Sequence, residues 1–164
     1  MKTLYLLRHA KSSWKDPTLA DFDRPLNNRG KRASERIGRF LGKEDIILDL
    51  VLSSNATRAR ETIEIVYQTA KLHSELRYDE RIYEAGPLRL FEVLSGVEDD
   101  RDTVLMVGHN PGLEELLHIL TGSTEHMPTA ALARIELSSS KWSEIATTKG
   151  NLASFIKPKL LKKS

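Results

Sequence analysis

Short apolar runs alternate along this chain with stretches in which apolar residues recur every three or four positions. That is the pattern of β-strands alternating with amphipathic helices. Residues 4–7, Leu-Tyr-Leu-Leu, read as a buried strand ending in Arg8-His9. From residue 28 to about 41, Ala33, Ile37, Phe40 and Leu41 fall at helical spacing and predict a helix. Residues 48–53 form a second strand, and 57–72 a second helix with Ile63, Val66 and Ala70 facing inward. Residues 76–83 suit a short extended segment. Residues 87–94 suit a helix, with Pro87 in its first turn just after Gly86. Residues 103–107 are a third clear strand, leading to His109-Asn110-Pro111-Gly112 and a helix through Leu120 that Gly122 stops. There Asn110 suits the cap, Pro111 the first helical position, and Gly112 a close approach of ligand to backbone. Residues 131–137, 142–147 and 152–156 read as terminal strands.

Alternating strands and helices imply an α/β fold, a mostly parallel central sheet with helices on both faces. In such sheets ligands bind beyond the carboxyl ends of the strands. At 164 residues the chain fits a single compact domain over 1–164, ending in a Lys-rich tail from about 157. With 40% hydrophobic and 29% charged residues it is an ordinary globular composition, and zero cysteines remove disulfides, zinc-thiolate sites and Cys nucleophiles. No apolar run approaches the roughly 20 residues that cross a bilayer, and the apolar stretch at the start is too short for a signal peptide. The expectation is a cytoplasmic protein with no membrane partner.

The net charge of +2 is a tail effect. Lys157, Lys159, Lys162 and Lys163 account for it, so the rest of the chain lacks the basic footprint of a nucleic-acid binder. Charge is nonetheless polarised: residues 1–40 hold ten Lys or Arg against four acids, and residues 91–125 hold eight acids against Arg101. Two readings stand, a solvated surface and a basic mouth that gathers an anionic substrate.

Three chemically loaded segments fall at predicted strand ends: Arg8-His9, residues 53–58, and His109-Asn110. Arg58 falls in the first turn of a helix, where a cation opposes the helix dipole and has no local electrostatic reason to be. It suits an anion held between the helix N-terminus and a guanidinium. Arg60 faces elsewhere. His109 lies just outside another helix N-terminus. Two His and two Arg at three strand ends point to a dianion site that also carries a nucleophile, and the obvious dianion is phosphate.

These residues resemble a known family. Leu7-Arg8-His9-Ala10 resembles the Arg-His-Gly signature of the histidine phosphatase superfamily, Ser53-x-x-x-x-Arg58-Ala59-x-x-Thr62 its second motif, and Gly108-His109-Asn110 its third. Asp23-Arg24-Pro25-Leu26-x-x-Arg29-Gly30 and Pro128-Thr129-Ala130-Ala131 narrow the likeness to the short SixA-type phosphohistidine phosphatases, over roughly residues 3–160. The resemblance implies a phosphoglycerate mutase-like fold and a catalytic set of His9, Arg8, Arg58 and His109. In that set His9 is the nucleophile that becomes phosphohistidine, Arg8 and Arg58 clamp the phosphoryl oxygens, and His109 stabilises their charge. It implies no cofactor and no metal, since cationic side chains take the metal's place. The partner it implies is a phosphorylated protein of signal transduction, such as a histidine-containing phosphotransfer domain.

Some positions depart from the family pattern. Ala10 stands where the signature has Gly, and Lys15 where larger relatives carry Asn. The proton donor that alkyl phosphates require has one candidate by order along the chain, Glu84, whose surroundings do not match the donor motif. Asp16, Asp21 and Asp23 read as turn and cap residues, with Asp23-Arg24 bracing their loop, and His73, His118 and His126 as structural or solvent-facing. Three functions stay open: dephosphorylation of protein phosphohistidine, general hydrolysis of small phosphomonoesters using Glu84, and phospho-ligand binding without turnover.

Overall fold

The computed structural model describes residues 1–161. Lys162 and Lys163 of the Lys-rich tail, with Ser164, lie outside the described residues. Within residues 1–161 one sheet of six strands forms: β1 (Lys2–Arg8), β2 (Leu50–Ser53), β3 (Glu75–Tyr78), β4 (Thr103–Gly108), β5 (Leu132–Leu137) and β6 (Gly150–Ile156). Their order is β3-β2-β4-β1-β5-β6. The first four run parallel; β5 pairs antiparallel with β1, and β6 with β5.

Alternation along the buried strands sends successive side chains to opposite faces. Tyr5, Leu7, Val51, Leu105 and Val107 pack under α1 (Asn28–Lys43) and α2 (Thr57–Ala70). Leu4, Leu6, Leu50, Leu52, Val104 and Met106 pack under α3 (Pro87–Ser95) and α4 (Gly112–Thr121). Helices therefore cover both faces, as the sequence pattern predicts.

Two elements differ from expectation. Residues 142–147 form a 3₁₀ helix and not a strand. Trp142 and Ile145, both buried, are three apart, which matches three residues per turn and defeats period-two pairing. The Trp142 indole also donates to the Arg101 carbonyl at 2.5 Å, fixing the segment beside the α3 core. Of residues 76–83, only the first part is a strand. The chain turns after Tyr78 because Asp79 accepts from the Arg81 amide at 2.9 Å, starting a 3₁₀ turn over Glu80–Ile82.

Candidate active site

Strands β2, β4 and β1 are neighbours, so the segments that follow them meet at one edge. The junction is tied by backbone bonds: His9 donates to the Gly108 carbonyl and Ser54 to that of Val107, each at 3.0 Å. The amide of Ala130, held at φ 61°, donates to the carbonyls of both Arg8 and His9 at 3.0 Å. Ala10 is fully buried in the core, and its amide donates to Thr62 Oγ1 at 3.0 Å. Thr62 in turn donates to the Arg58 carbonyl at 2.7 Å. The Arg58-Ala59-x-x-Thr62 spacing thus puts a hydroxyl one turn beyond Arg58, where it locks the backbone beside His9.

His9, Arg58 and His109 are all buried, and Arg8 is half-buried. His9 Nδ1 lies 2.7 Å from the Ala10 carbonyl, which only accepts, so Nδ1 carries the ring proton and Nε2 keeps its lone pair. Arg58 Nε donates toward that Nε2 from 3.4 Å. Burial, reinforced by the charges of Arg58, Arg8 and Arg24, pushes the His9 pKa down to about 4. Burial next to His9 and Arg58 pushes that of His109 to about 3. The two imidazoles, 5.0 Å apart between ring centres, are both neutral at physiological pH.

His109 Nε2 sits 2.8 Å from Ser54 Oγ, which accepts the Ala56 amide at 3.2 Å. Arg8 Nη1 donates to the Met127 carbonyl at 3.0 Å. Arg8 Nε and His109 Nδ1 are buried with no hydrogen-bond partner among the described residues. Arg58 is braced from outside by Asp21, which accepts from Nη1 through its carbonyl at 2.8 Å and from Nη2 through its carboxylate at 3.1 Å. Tyr83 donates to the same carboxylate at 2.6 Å and stands edge-on to His109 at 5.4 Å. The Tyr83 hydroxyl, with the Arg58 charge, keeps the Asp21 carboxyl below its ordinary pKa. Among the described residues no group of three or more His, Asp or Glu side chains gathers to hold a metal ion.

A model of the histidine phosphatase superfamily (branch 1) matches residues 4–89. The chain belongs to the histidine phosphatase superfamily. A protein of Mycobacterium tuberculosis that carries no assigned activity in its name is 32% identical over 164 residues, covering 93% of this chain and 100% of that one. Among solved structures, a candidate phosphohistidine phosphatase SixA from Nakamurella multipartitia superposes with a TM-score of 0.85 at 25% identity, over 96% of each chain. A candidate SixA from Agrobacterium tumefaciens gives 0.83 at 28% identity, over 96% of this chain and 98% of that one. The fold is SixA-like.

Within this superfamily fold the four expected residues come together. Others land differently. Helix α4 starts at Gly112, after a Pro111 cap, and Asn110 does not cap it. The Asn110 amide nitrogen donates instead to Glu114 Oε1 and the Met127 carbonyl, each at 2.8 Å, because that loop brings two acceptors to it. Gly112 is small for the sake of the protein and not of a ligand: a Cβ there would meet the Ala85 carbonyl at 2.1 Å. Arg24 is braced by Ser12, by Asp21 at 3.5 Å and by the Trp14 ring, and not by Asp23. Lys15 and Glu84 are exposed, and His118 and His126 face solvent. Arg60 points away, over Tyr78.

Proposed function

We propose that the protein is a metal-independent phosphohistidine phosphatase that passes the phosphoryl group through His9. What carries this reading is the neutral His9, whose unprotonated Nε2 meets only a long, 3.4 Å contact from Arg58 Nε, set among Arg8, Arg58 and His109 at the sheet edge. The two SixA candidates it superposes on support the same chemistry. In the first step the Nε2 lone pair attacks phosphorus and the bond to the leaving group breaks, its electron pair going with that group. Arg8 and Arg58 hold the phosphoryl oxygens; the unsatisfied Arg8 Nε supplies a further donor, and His109 Nδ1 another in the tautomer whose Nε2 accepts from the Ser54 hydroxyl. In the second step water attacks phosphorus, the P–Nε2 bond breaks, its electrons return to Nε2, and the water proton leaves with phosphate and solvent.

Leaving-group chemistry selects the substrate. An alkoxide leaves poorly unless an acid protonates it, whereas an imidazole, whose conjugate acid has a pKa of about 6.5, leaves with little help. The carboxylate nearest the cations, Asp21, is held ionised and is no donor. Glu84 is exposed on the rim beside Tyr83. A substrate panel decides. Phosphohistidine peptides and phosphoramidate are expected to give higher kcat/KM than phosphosugars, with chelator and Glu84→Gln both leaving the P–N rates unchanged. Faster turnover of a phosphosugar, abolished by Glu84→Gln, would establish a small-metabolite phosphomonoesterase instead.

A further inference from the structure

A groove of about 630 Å³ opens beside the site, walled by Lys11, Arg29, Arg32, Arg36, Lys157 and Lys159, with Glu125 as the acid on its lip. Among the described residues none of these six cations has a carboxylate partner. Arg39, on the same helix α1, instead pairs with Glu35. Like charges gathered without counter-ions raise the local positive potential, which attracts an anion to the groove.

None of the four site residues lines the groove, but two stretches of its wall adjoin them along the chain. Lys11 is two residues beyond His9, and its carbonyl accepts the Asn27 amide at 3.0 Å, just ahead of α1. Gly30 sits so close that a Cβ would lie 2.1 Å from that carbonyl. Pro128 and Thr129, also in the wall, immediately precede Ala130, whose amide holds Arg8 and His9. From there Arg29, Arg32 and Arg36 follow one stripe of α1 outward, a span of roughly 10 Å at 1.5 Å per residue. Lys157 and Lys159 form the facing wall. The cations are strung along a line and do not converge on a point, as a single phosphate would require. A line of this length matches roughly three to four residues of extended chain.

We infer that this groove binds an acidic segment of the phosphorylated protein, seating it while its phosphohistidine meets His9. The inference rests on the proposed phosphohistidine activity and adds to it the chemistry of the partner. The segment has several Asp or Glu close to the phosphorylated histidine, and the attraction is electrostatic, acting on encounter and KM more than on kcat.

The test compares two phosphohistidine peptides, one flanked by Glu and the other by Gln at the same positions. Wild type is expected to prefer the Glu peptide by about tenfold in kcat/KM, through KM, and to lose that preference at about 0.5 M salt. The Arg29→Gln/Arg32→Gln/Arg36→Gln variant should lose it too, with kcat on phosphoramidate unchanged. Should the triple variant fail to fold, Arg32→Gln alone, at an exposed position, serves the same test with a smaller loss. Equal rates on the two peptides, or a preference that survives the substitutions, overturns the inference. Tight binding of inorganic tripolyphosphate with no peptide preference would make the groove a small-anion site and equally overturn it. Anisotropy with an unphosphorylated Glu-rich peptide reads the groove without turnover: binding lost in the variant supports it even if no P–N bond is cleaved, an outcome that would sink the catalytic reading alone.

Discussion

The amino edge of the parallel sheet and the surroundings of His9 at its carboxyl edge treat charge differently. At the amino edge Lys2, Arg77 and Arg101 all meet acids. Arg77 and Arg101 each lie 2.6 Å from a Glu75 oxygen, Arg77 is 3.1 Å from Glu98, and Lys2 is 3.0 Å from Asp102. The Asp49 carboxylate accepts the amides of Asp102 and Thr103 at 2.8 and 2.9 Å. At the carboxyl edge Arg81 pairs with Asp79 at 2.7 Å just past β3, but around His9 the cations Arg58 and Arg24 share one carboxylate, Asp21, and among the described residues Arg8 has no ion pair. Two imidazoles lie among them, and the groove cations continue the excess outward. Paired charge joins strand ends together and asks nothing of solvent or ligand. Charge left short of counter-charge, on a rigid sheet edge, is prepared for an anion.

The sharpest way to break that contrast is to remove a cation from each edge. Arg58→Ala or His109→Gln should lower kcat/KM on a P–N substrate on the order of a hundredfold or more, the usual loss when one charge-stabilising contact goes. Arg77→Gln, at the paired edge, should leave kcat/KM unchanged and only lower Tm slightly at low salt, with the difference fading as salt is raised. A rate loss from Arg77→Gln comparable to that from Arg58→Ala would erase the distinction.

Acid separates the two edges by pH window. In the unfolded chain His9 and His109 titrate near 6.5. In the folded protein burial and neighbouring cations hold them at about 4 and about 3. Between those values the unfolded chain binds more protons, so folding stability falls as pH drops from about 6.5 toward 4. The Glu75 carboxyl, lowered to about 2 by hydrogen bonds from Arg77 and Arg101, adds its own loss below about 4.5. Denaturant midpoints measured from pH 7.5 to 3.5 should decline in the first window for wild type and less for His109→Gln. An unchanged slope in that variant would show that His109 is not held neutral by the fold.

The alternation of strands and helices, and the four residues at the strand ends, were legible in the sequence because chemistry and element boundaries coincide there. Arg58 announced itself by sitting against its own helix dipole. Asp21 gave no such sign. It reads as a turn residue, and only the folding of its loop across the edge brings it to Arg58, 37 positions away. Tyr83 and Ser54 were hidden for the same reason, since their partners are Asp21 and His109 and neither is near in sequence. Ser54 carried a faint signal, a second buried hydroxyl residue closing β2. Trp142 misled because Trp142, Ile145 and Thr147 are residues that favour strands, and only the three-residue spacing of Trp142 to Ile145 tells otherwise.

The proposed carrier of the phosphoryl group is His9. Incubating the enzyme with labelled phosphoramidate, quenching in alkali and mapping the modified peptide by mass spectrometry tests it directly. The expected result is a label on His9 that is stable to base, lost in acid and absent from His9→Ala, which is also inactive. A label elsewhere, or a His9→Ala variant that retains turnover, would contradict it.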